Sequence, residues 1–574
     1  MKKKPNYLFF IAMFLLSFIF FNILVSSILF LLKQSITSIN VIIALILSIL
    51  LMMYTLKKGD DYKLKSLAIA IAVPILIIIG TTFISGKVYD YSWDGNSYHK
   101  STIGILADGW NPVYETMKEF DEKRVINDNS SNSFSLWGEH YAKASHIYAA
   151  NIMALTHNVE SGKSINAISI ITLALFILSL LLKKNNKLLF SIIFTIVIIT
   201  SATISSQYLT NYVDILVYIY MFLLMYVFIG FEIDKKNQDN LILVYIMTLC
   251  IIINVKFSSF GYAGIYCLGF YLWYISRLKK EKIKDFFIKF TIASVCAVLL
   301  GVLVIGASSY VKNYIDHGHP FYPIMGDGKV DIMTLNQPKS FKDKSSIEKF
   351  AIATFSKADN ISYYDDAEPQ YKIPFTISNS ELKLLSSCDL RISGNGLIFG
   401  GIIIITSIIV LFKMPKLYSE DKKLFTTLLI PLIITIILIL VMQDVWWARY
   451  FPQLHFINFI AIILLNLSKI KKDKIIKILI LTLLIINNIS ILGASTLKSY
   501  IYTKDANIEF NNVKKEISSN CKLNVETKLF YGTFYNIRES LKDYNPTFKV
   551  VDELKTDDTM PLMNGYSICY CNDN

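Results

Sequence analysis

Apolar stretches of about 20 residues, separated by short lysine clusters, recur along this chain from its first residues to about 495. A stretch of that length crosses a hydrocarbon core as a helix. A membrane interior offers no water to unpaired backbone groups, so helices that satisfy their own hydrogen bonds are the available spanning structure for such segments. The fold class this dictates is all-α and polytopic. Composition agrees: 53% of residues are hydrophobic and only 18% charged, against about a quarter charged in soluble domains. An ordinary cytosolic enzyme, a disordered chain and a secreted disulfide scaffold are excluded. The net charge of +13 lies in clusters such as Lys57/Lys58/Lys63/Lys65, Lys279/Lys280/Lys282/Lys284 and Lys469/Lys471/Lys472/Lys474. Lysines flanking spans are orientation signals, so the charge does not point to nucleic acid.

Thirteen stretches qualify, near 7–32, 37–56, 65–85, 164–182, 188–206, 213–231, 240–255, 258–276, 286–309, 395–412, 424–443, 452–468 and 475–495. The first is too long, and lacks the small-residue site, for a cleaved signal peptide. With Met1-Lys2-Lys3-Lys4 in the cytoplasm, alternation places every later lysine cluster inside. It places outside two large loops, 86–163 and 310–394, two short turns, and a tail from 496 to 574. The expected organisation is therefore a membrane domain, 1–495, and an extracytoplasmic tail, 496–574. All seven histidines and five of the six tryptophans fall in or beside the outer segments. The chemistry is expected on the outer face.

Cys250, Cys267 and Cys296 lie in apolar stretches and read as small hydrophobes, whereas Cys521, Cys569 and Cys571 lie in the tail, where an oxidising compartment permits a disulfide. The tail alternates helical patterns (505–519, 534–544) with strand-like runs (527–531, 547–551) and reads as a small α/β appendage. It either binds an acceptor or covers the face. The polar stretch 127–135 reads as a mobile loop.

The first outer loop opens with Asp90-Tyr91-Ser92-Trp93-Asp94 and continues to His99. Two carboxylates four apart at the membrane boundary would face one way on a helix, and low dielectric plus like charge raises a carboxylate's pKa toward that of a general base. Helix capping is the plainer role for the same residues. Asp214 stands at the mouth of a span, where an ionisable group is a functional candidate. Lys256 opens Lys256-Phe257-Ser258-Ser259. Further on come Asn313-Tyr314, then His317-Gly318-His319-Pro320-Phe321-Tyr322-Pro323, Asp389-Leu390-Arg391 and Trp446-Trp447-Ala448-Arg449-Tyr450-Phe451-Pro452.

Together these motifs resemble the GT-C superfamily of integral-membrane glycosyltransferases, which take sugar from a polyprenyl-phosphate carrier. An acidic motif opens the first large outer loop. Residues Asn313 to Pro323 resemble the family's Asn-x-x-x-x-Gly-Asn-Pro-x-Tyr-Pro, with Gly318-His319-Pro320 departing from it. An Ala-Arg-Tyr-x-x-Pro closes the membrane domain. The acidic loop follows the third span here rather than the first, which implies two extra N-terminal helices or a divergent branch.

The resemblance implies transfer of a sugar, with inversion, to a cell-envelope glycan or lipid-linked acceptor, with a bacterial plasma membrane as setting. Asp94, with Asp90 as partner or alternate, would take the acceptor's proton. Arg449, Arg391 and Lys256 would clamp the leaving phosphate, Arg suiting a bidentate contact; each is also a plain interfacial cation. His99 would hydrogen-bond sugar or phosphate, and Asp214, Asn313, His319 and Tyr322 complete the candidate binding set. No cofactor is implied. Metal dependence stays open: His317 and His319 lack the partners of a zinc site, while Asp90, Asp94 and Asp214 could hold a divalent ion. Two other readings compete. A polysaccharide polymerase or ligase would tolerate loss of Asp90 and Asp94. A lipid-linked-sugar flippase would carry polar groups at mid-membrane, and only Pro74, Asn254 and Asn487/Asn488 resemble that.

Overall fold

The computed structural model describes residues 6–58, 64–123, 133–184, 186–279, 283–517, 521–555 and 559–572. Every one of the thirteen apolar stretches is helical among them. Among the described residues nine helices are long and apolar enough to cross a membrane: Tyr7–Leu31, Ile39–Lys57, Leu64–Ser85, Val159–Lys183, Asp214–Ile233, Lys284–Ile305, Phe399–Glu420, Lys422–Val441 and Lys471–Glu516. Four further stretches form Leu188–Ile199, Gln238–Ile252, Phe257–Arg277 and His455–Leu467, which fall short in length or apolarity. Two helices make the centre. Tyr7–Leu31 packs against its two successors and Ser164–Lys183, and Asp214–Ile233 is buried along nearly its whole length.

The stretch expected as one span over 188–206 is two helices, because the ladder breaks at Thr200–Ser201 and resumes as Ala202–Gln207. Asn488 Nδ2 donates to Val197 O at 3.1 Å across that break. Asn254 acts at another irregular segment: its Nδ2 donates to Gly301 O at 2.8 Å in the π-helical turn Leu300–Ile305, a carbonyl that also accepts from Gly306 N at 2.9 Å. Buried polar groups that satisfy irregular backbone are what a membrane interior requires.

Helix Lys471–Glu516 runs unbroken through the expected boundary at 495/496 and extends 46 residues, about 69 Å at 1.5 Å per residue. It carries a four-stranded sheet in the order β2-β1-β4-β3, with β1 Lys522–Thr527, β2 Thr547–Val550, β3 Met560–Leu562 and β4 Ser567–Asn572. β1 pairs parallel to β2 and antiparallel to β4. The first strand precedes the run expected at 527–531, while 547–551 is placed as expected. Cys521 and Cys571 form a disulfide beside the β1–β4 pair, and Cys569 is buried as a free thiol. Helix Thr533–Ser540 packs this module onto helix Lys100–Ala107 and the turn Val159–Lys163, in the stretch 86–163. Of the stretch 127–135, residues 127–132 lie outside the described residues, and helix Ser133–His140 begins beyond them.

Candidate active site

Asp94 and Asp90 do not share a helix face. The helical turn starts at Trp93, so Asp90 precedes it in extended chain. Its carboxylate is buried and engaged: Oδ1 accepts from Ser92 N at 2.7 Å, and Oδ2 accepts from Asn211 N and Nδ2 at 2.7 and 2.9 Å. That is the geometry of a group that ties two segments together. Asp94 opens the π-helical turn Gly95–His99 but makes no capping bond. Its carboxylate instead reaches Arg449, with Oδ2 3.3 Å from Nη1. Burial raises the Asp94 pKa, with the Arg449 guanidinium opposing and Asp214 adding to the rise.

Arg449 lies in a short turn, Ala448–Tyr450, between two membrane helices. Tyr218 Oη donates to Ala448 O at 2.7 Å and Tyr262 Oη to Tyr450 O at 2.5 Å, so two buried tyrosines fix the turn's carbonyls. Its guanidinium stands 4.1 Å from the Trp447 ring centre and 5.3 Å from that of Tyr212. Three carboxylates surround it: Asp94, Asp214 at 3.6 Å and Asp389 at 3.1 Å from Nε. Lys256 joins the cluster from the start of helix Phe257–Arg277. Its Nζ is 2.6 Å from Asp214 Oδ1 and 3.7 Å above the Tyr450 ring. Segments that are far apart in sequence thus deliver two cations and three carboxylates to one place. Gln207 holds two of those segments together, donating to Cys388 O at 3.0 Å and accepting from Ile215 N at 3.0 Å.

Asp389 was not among the sequence-derived candidates, although it sits in the Asp-Leu-Arg segment read for its arginine. Burial pushes its carboxyl up to about 7 despite Arg449. The Nε–Oδ1 pair is close but not aligned as a hydrogen bond. Arg391 itself uses Nη1 on Asn360 O at 2.7 Å and Nη2 on Asn336 Oδ1 at 2.9 Å, which braces the second outer loop. His99 Nδ1 lies 2.7 Å from His146 Nε2, and burial drives both rings' pKa values down, His146 to about 3. The pair is neutral, one ring donating to the other. His99 Nε2 is buried with no partner among the described residues.

The remaining candidates form a separate cluster. Asn313 Oδ1 pairs with His140 Nδ1 at 2.8 Å, and its Nδ2 donates to Tyr322 O at 2.9 Å. The rings of His317 and Tyr322 stack at 3.8 Å. His319 Nδ1 accepts from Phe321 N at 3.1 Å within the same turn. These contacts shape the second loop's start; none reaches Arg449. Among the described residues no group of three His, Cys, Asp or Glu has metal-binding geometry. Asp90 faces Asn211 rather than Asp94, and the space between Asp94, Asp214 and Asp389 is filled by Arg449.

An apolar groove of about 920 Å³ runs between helices Phe399–Glu420 and Lys422–Val441, under helix Ser346–Phe355. It is lined by Phe350, Ile408, Met414 and Leu429 and ends at Leu454, on the turn that follows Arg449. A second cavity, about 490 Å³, lies near Lys184 and Lys423; neither lining includes Asp94, Asp214, Lys256, Asp389 or Arg449.

No protein-family model matches the sequence, and no curated protein matches it. A solved structure with similarity is the crystal structure of ArnT from Cupriavidus metallidurans bound to undecaprenyl phosphate. It is 8% identical, and the match covers 84% of this chain and 85% of that one at a TM-score of 0.39. A likeness that distant carries no argument about activity.

Proposed function

We propose that this chain is a multi-pass membrane glycosyltransferase that moves one sugar from a polyprenyl-phosphate carrier to a hydroxyl of an extracytoplasmic cell-envelope glycan or lipid-linked acceptor. The observation that carries the reading is the convergence of Arg449, Lys256 and Asp94, the last paired with Arg449 at 3.3 Å, in one cluster. Such a reaction needs a base, cations for the departing phosphate and a channel for a lipid chain. Asp94 and Arg449 supply the first two, and the groove lined by Leu454, five residues after Arg449, is the proposed channel. The motif resemblance to GT-C enzymes supports the same reading.

In this mechanism Asp94 takes the proton of the acceptor hydroxyl as its oxygen bonds to the anomeric carbon. The carbon–oxygen bond to phosphate breaks, and its electron pair leaves with the phosphate onto Arg449 and Lys256. Attack from the face opposite the leaving group inverts the anomeric centre. Asp94 is preferred to Asp90 because Asp90's oxygens are already occupied. Asp389, uncharged below neutrality, would limit the negative charge facing the phosphate. Residues 1–495 serve as the membrane domain and 496–574 as an outer module, with the N-terminus cytoplasmic. The lysine clusters and the Cys521–Cys571 disulfide support that orientation.

The test compares the surface-glycan composition of cells carrying the native chain, no chain, and Asp94→Asn at matched membrane levels. Loss of the same single sugar in the last two is expected. An unchanged composition in Asp94→Asn removes the base. Shortened polymers with unchanged sugars would favour a polymerase.

A further inference from the structure

Asp94 owes its place to a short helical turn, and the outer module grips that turn from the opposite side. Residues 93, 96 and 100 lie before, within and just after the π-helical turn Gly95–His99. All three meet the module. The Trp93 ring is 5.8 Å from that of Phe530. Asn96 O accepts from Gly532 N at 2.8 Å. Lys100 Nζ donates to Asn536 Oδ1 at 2.6 Å. Asn536 Nδ2 in turn donates to Glu160 Oε1 at 2.9 Å, and Glu160 pairs with Lys100 at 3.1 Å and Lys163 at 2.5 Å. Lys100, Glu160, Lys163 and Asn536 are all buried. The fit at Gly532 is close: a Cβ there would stand 2.6 Å from Asn96 O and 2.9 Å from Lys100 Cβ. Within the turn, Asn96 Nδ2 donates to Asp90 O and Ser92 O at 2.8 and 2.9 Å, so the grip reaches the residues before Asp94.

We propose that Asn536 and Gly532 are positioning residues for Asp94: the outer module holds the turn 93–100 in the register that brings this carboxylate to Arg449. The proposal rests on the transferase reading and gives the module a part in catalysis without contact with substrate. Buried hydrogen-bonded charges fix geometry more sharply than apolar contacts do, and a misplacement of about 1 Å costs on the order of 100-fold in rate.

The test uses the full chain in cells and purified in detergent. Asn536→Leu removes both amide bonds while leaving Lys100, Glu160 and Lys163 paired with one another. Gly532→Ala presses on Asn96 by an independent route. In both, transferred surface sugar should fall by about tenfold or more at native membrane level. Affinity for undecaprenyl phosphate should stay within about twofold, because Arg449, Lys256 and the groove are untouched. Hydrogen exchange at 93–100 should rise, with 446–451 unchanged. Full sugar transfer in both variants overturns the proposal. So does parallel loss of undecaprenyl phosphate binding, which would mark the module as a general folding scaffold. The underlying reading fails separately: an Asp94→Asn chain that still transfers sugar refutes the base whatever Asn536→Leu does.

Discussion

Removing Arg449 tests the centre of the site. At an effective dielectric of about 20, unit charges 3–4 Å apart interact by about 4–5 kcal/mol before desolvation, and Arg449 has three carboxylates at 3.1–3.6 Å. With Lys256, two cations face Asp94, Asp214 and an Asp389 carboxyl pushed up to about 7. Arg449→Ala leaves Lys256 alone against them, so an incoming phosphate loses its guanidinium partner and meets a more negative site. A charge-assisted hydrogen bond contributes about 1.5–3 kcal/mol, and tenfold in affinity is 1.4 kcal/mol. Undecaprenyl phosphate should therefore bind Arg449→Ala on the order of 10- to 100-fold more weakly. Arg449→Lys keeps the charge but loses the fork and the flat face over Trp447, so its affinity should fall between those of native and Arg449→Ala. The assay is titration of detergent-purified chain with undecaprenyl phosphate, read by native mass spectrometry. Native-like affinity in Arg449→Ala would refute the clamp. A value for Arg449→Lys as low as for alanine would show that the site reads guanidinium shape rather than charge.

Three other outcomes follow from the same geometry. Asp389 has its folded-state pKa raised to about 7, above the unfolded value of about 3.9; its contribution to stability is full below the lower value and is lost as pH rises through the upper one. Asp389→Asn mimics the protonated form, so its thermal midpoint relative to native should be more favourable at pH 7.5 than at pH 4; a difference independent of pH would contradict this. Ile408→Trp should fill part of the groove and weaken undecaprenyl phosphate binding while leaving a short-chain prenyl phosphate unaffected, and equal weakening of both would place the lipid elsewhere. Glu160→Gln leaves Lys100 and Lys163 buried without a counter-charge, a loss of about 3–5 kcal/mol by analogy with broken buried pairs, so limited proteolysis should release residues 521–572 faster than from the native chain.

What the sequence made legible divides along a physical line. Hydrophobic run length is a local property, and all thirteen runs are helices. The errors arose where a side chain from elsewhere decides: Asn488 at the break after Ile199 lies 291 residues from its partner Val197, and nothing within 188–206 announces it. The same holds at the site. Asp90 and Asp94 look equivalent in sequence, each acidic, each beside aromatic residues. Their environments are set by Asn211 and by Arg449, 121 and 355 residues away. Local pattern therefore found the pair and could not rank its members.

Asp389 and Glu160 mark a different kind of miss, because a signal was present. Asp214 was singled out as an ionisable group at the mouth of a span, and Glu160 satisfies the same criterion, standing in Val159-Glu160-Ser161-Gly162-Lys163 where a membrane helix begins. Asp389 follows Cys388 at the end of the second large loop and stands two residues before an arginine. A carboxylate in such a place either finds a cation or stays protonated. Applied evenly, that rule would have named both residues. It would still not have told a catalytic group from a structural one. Glu160 meets two lysines, the Asn536 amide and the Asp90 N–H, whereas Asp94 and Asp389 share a single guanidinium with Asp214, and Asp389 Oδ1 has no hydrogen-bond partner among the described residues. A carboxylate with fewer partners is the one with more capacity to take a proton. That distinction is made by the count of partners, and the partners come from the far ends of the chain.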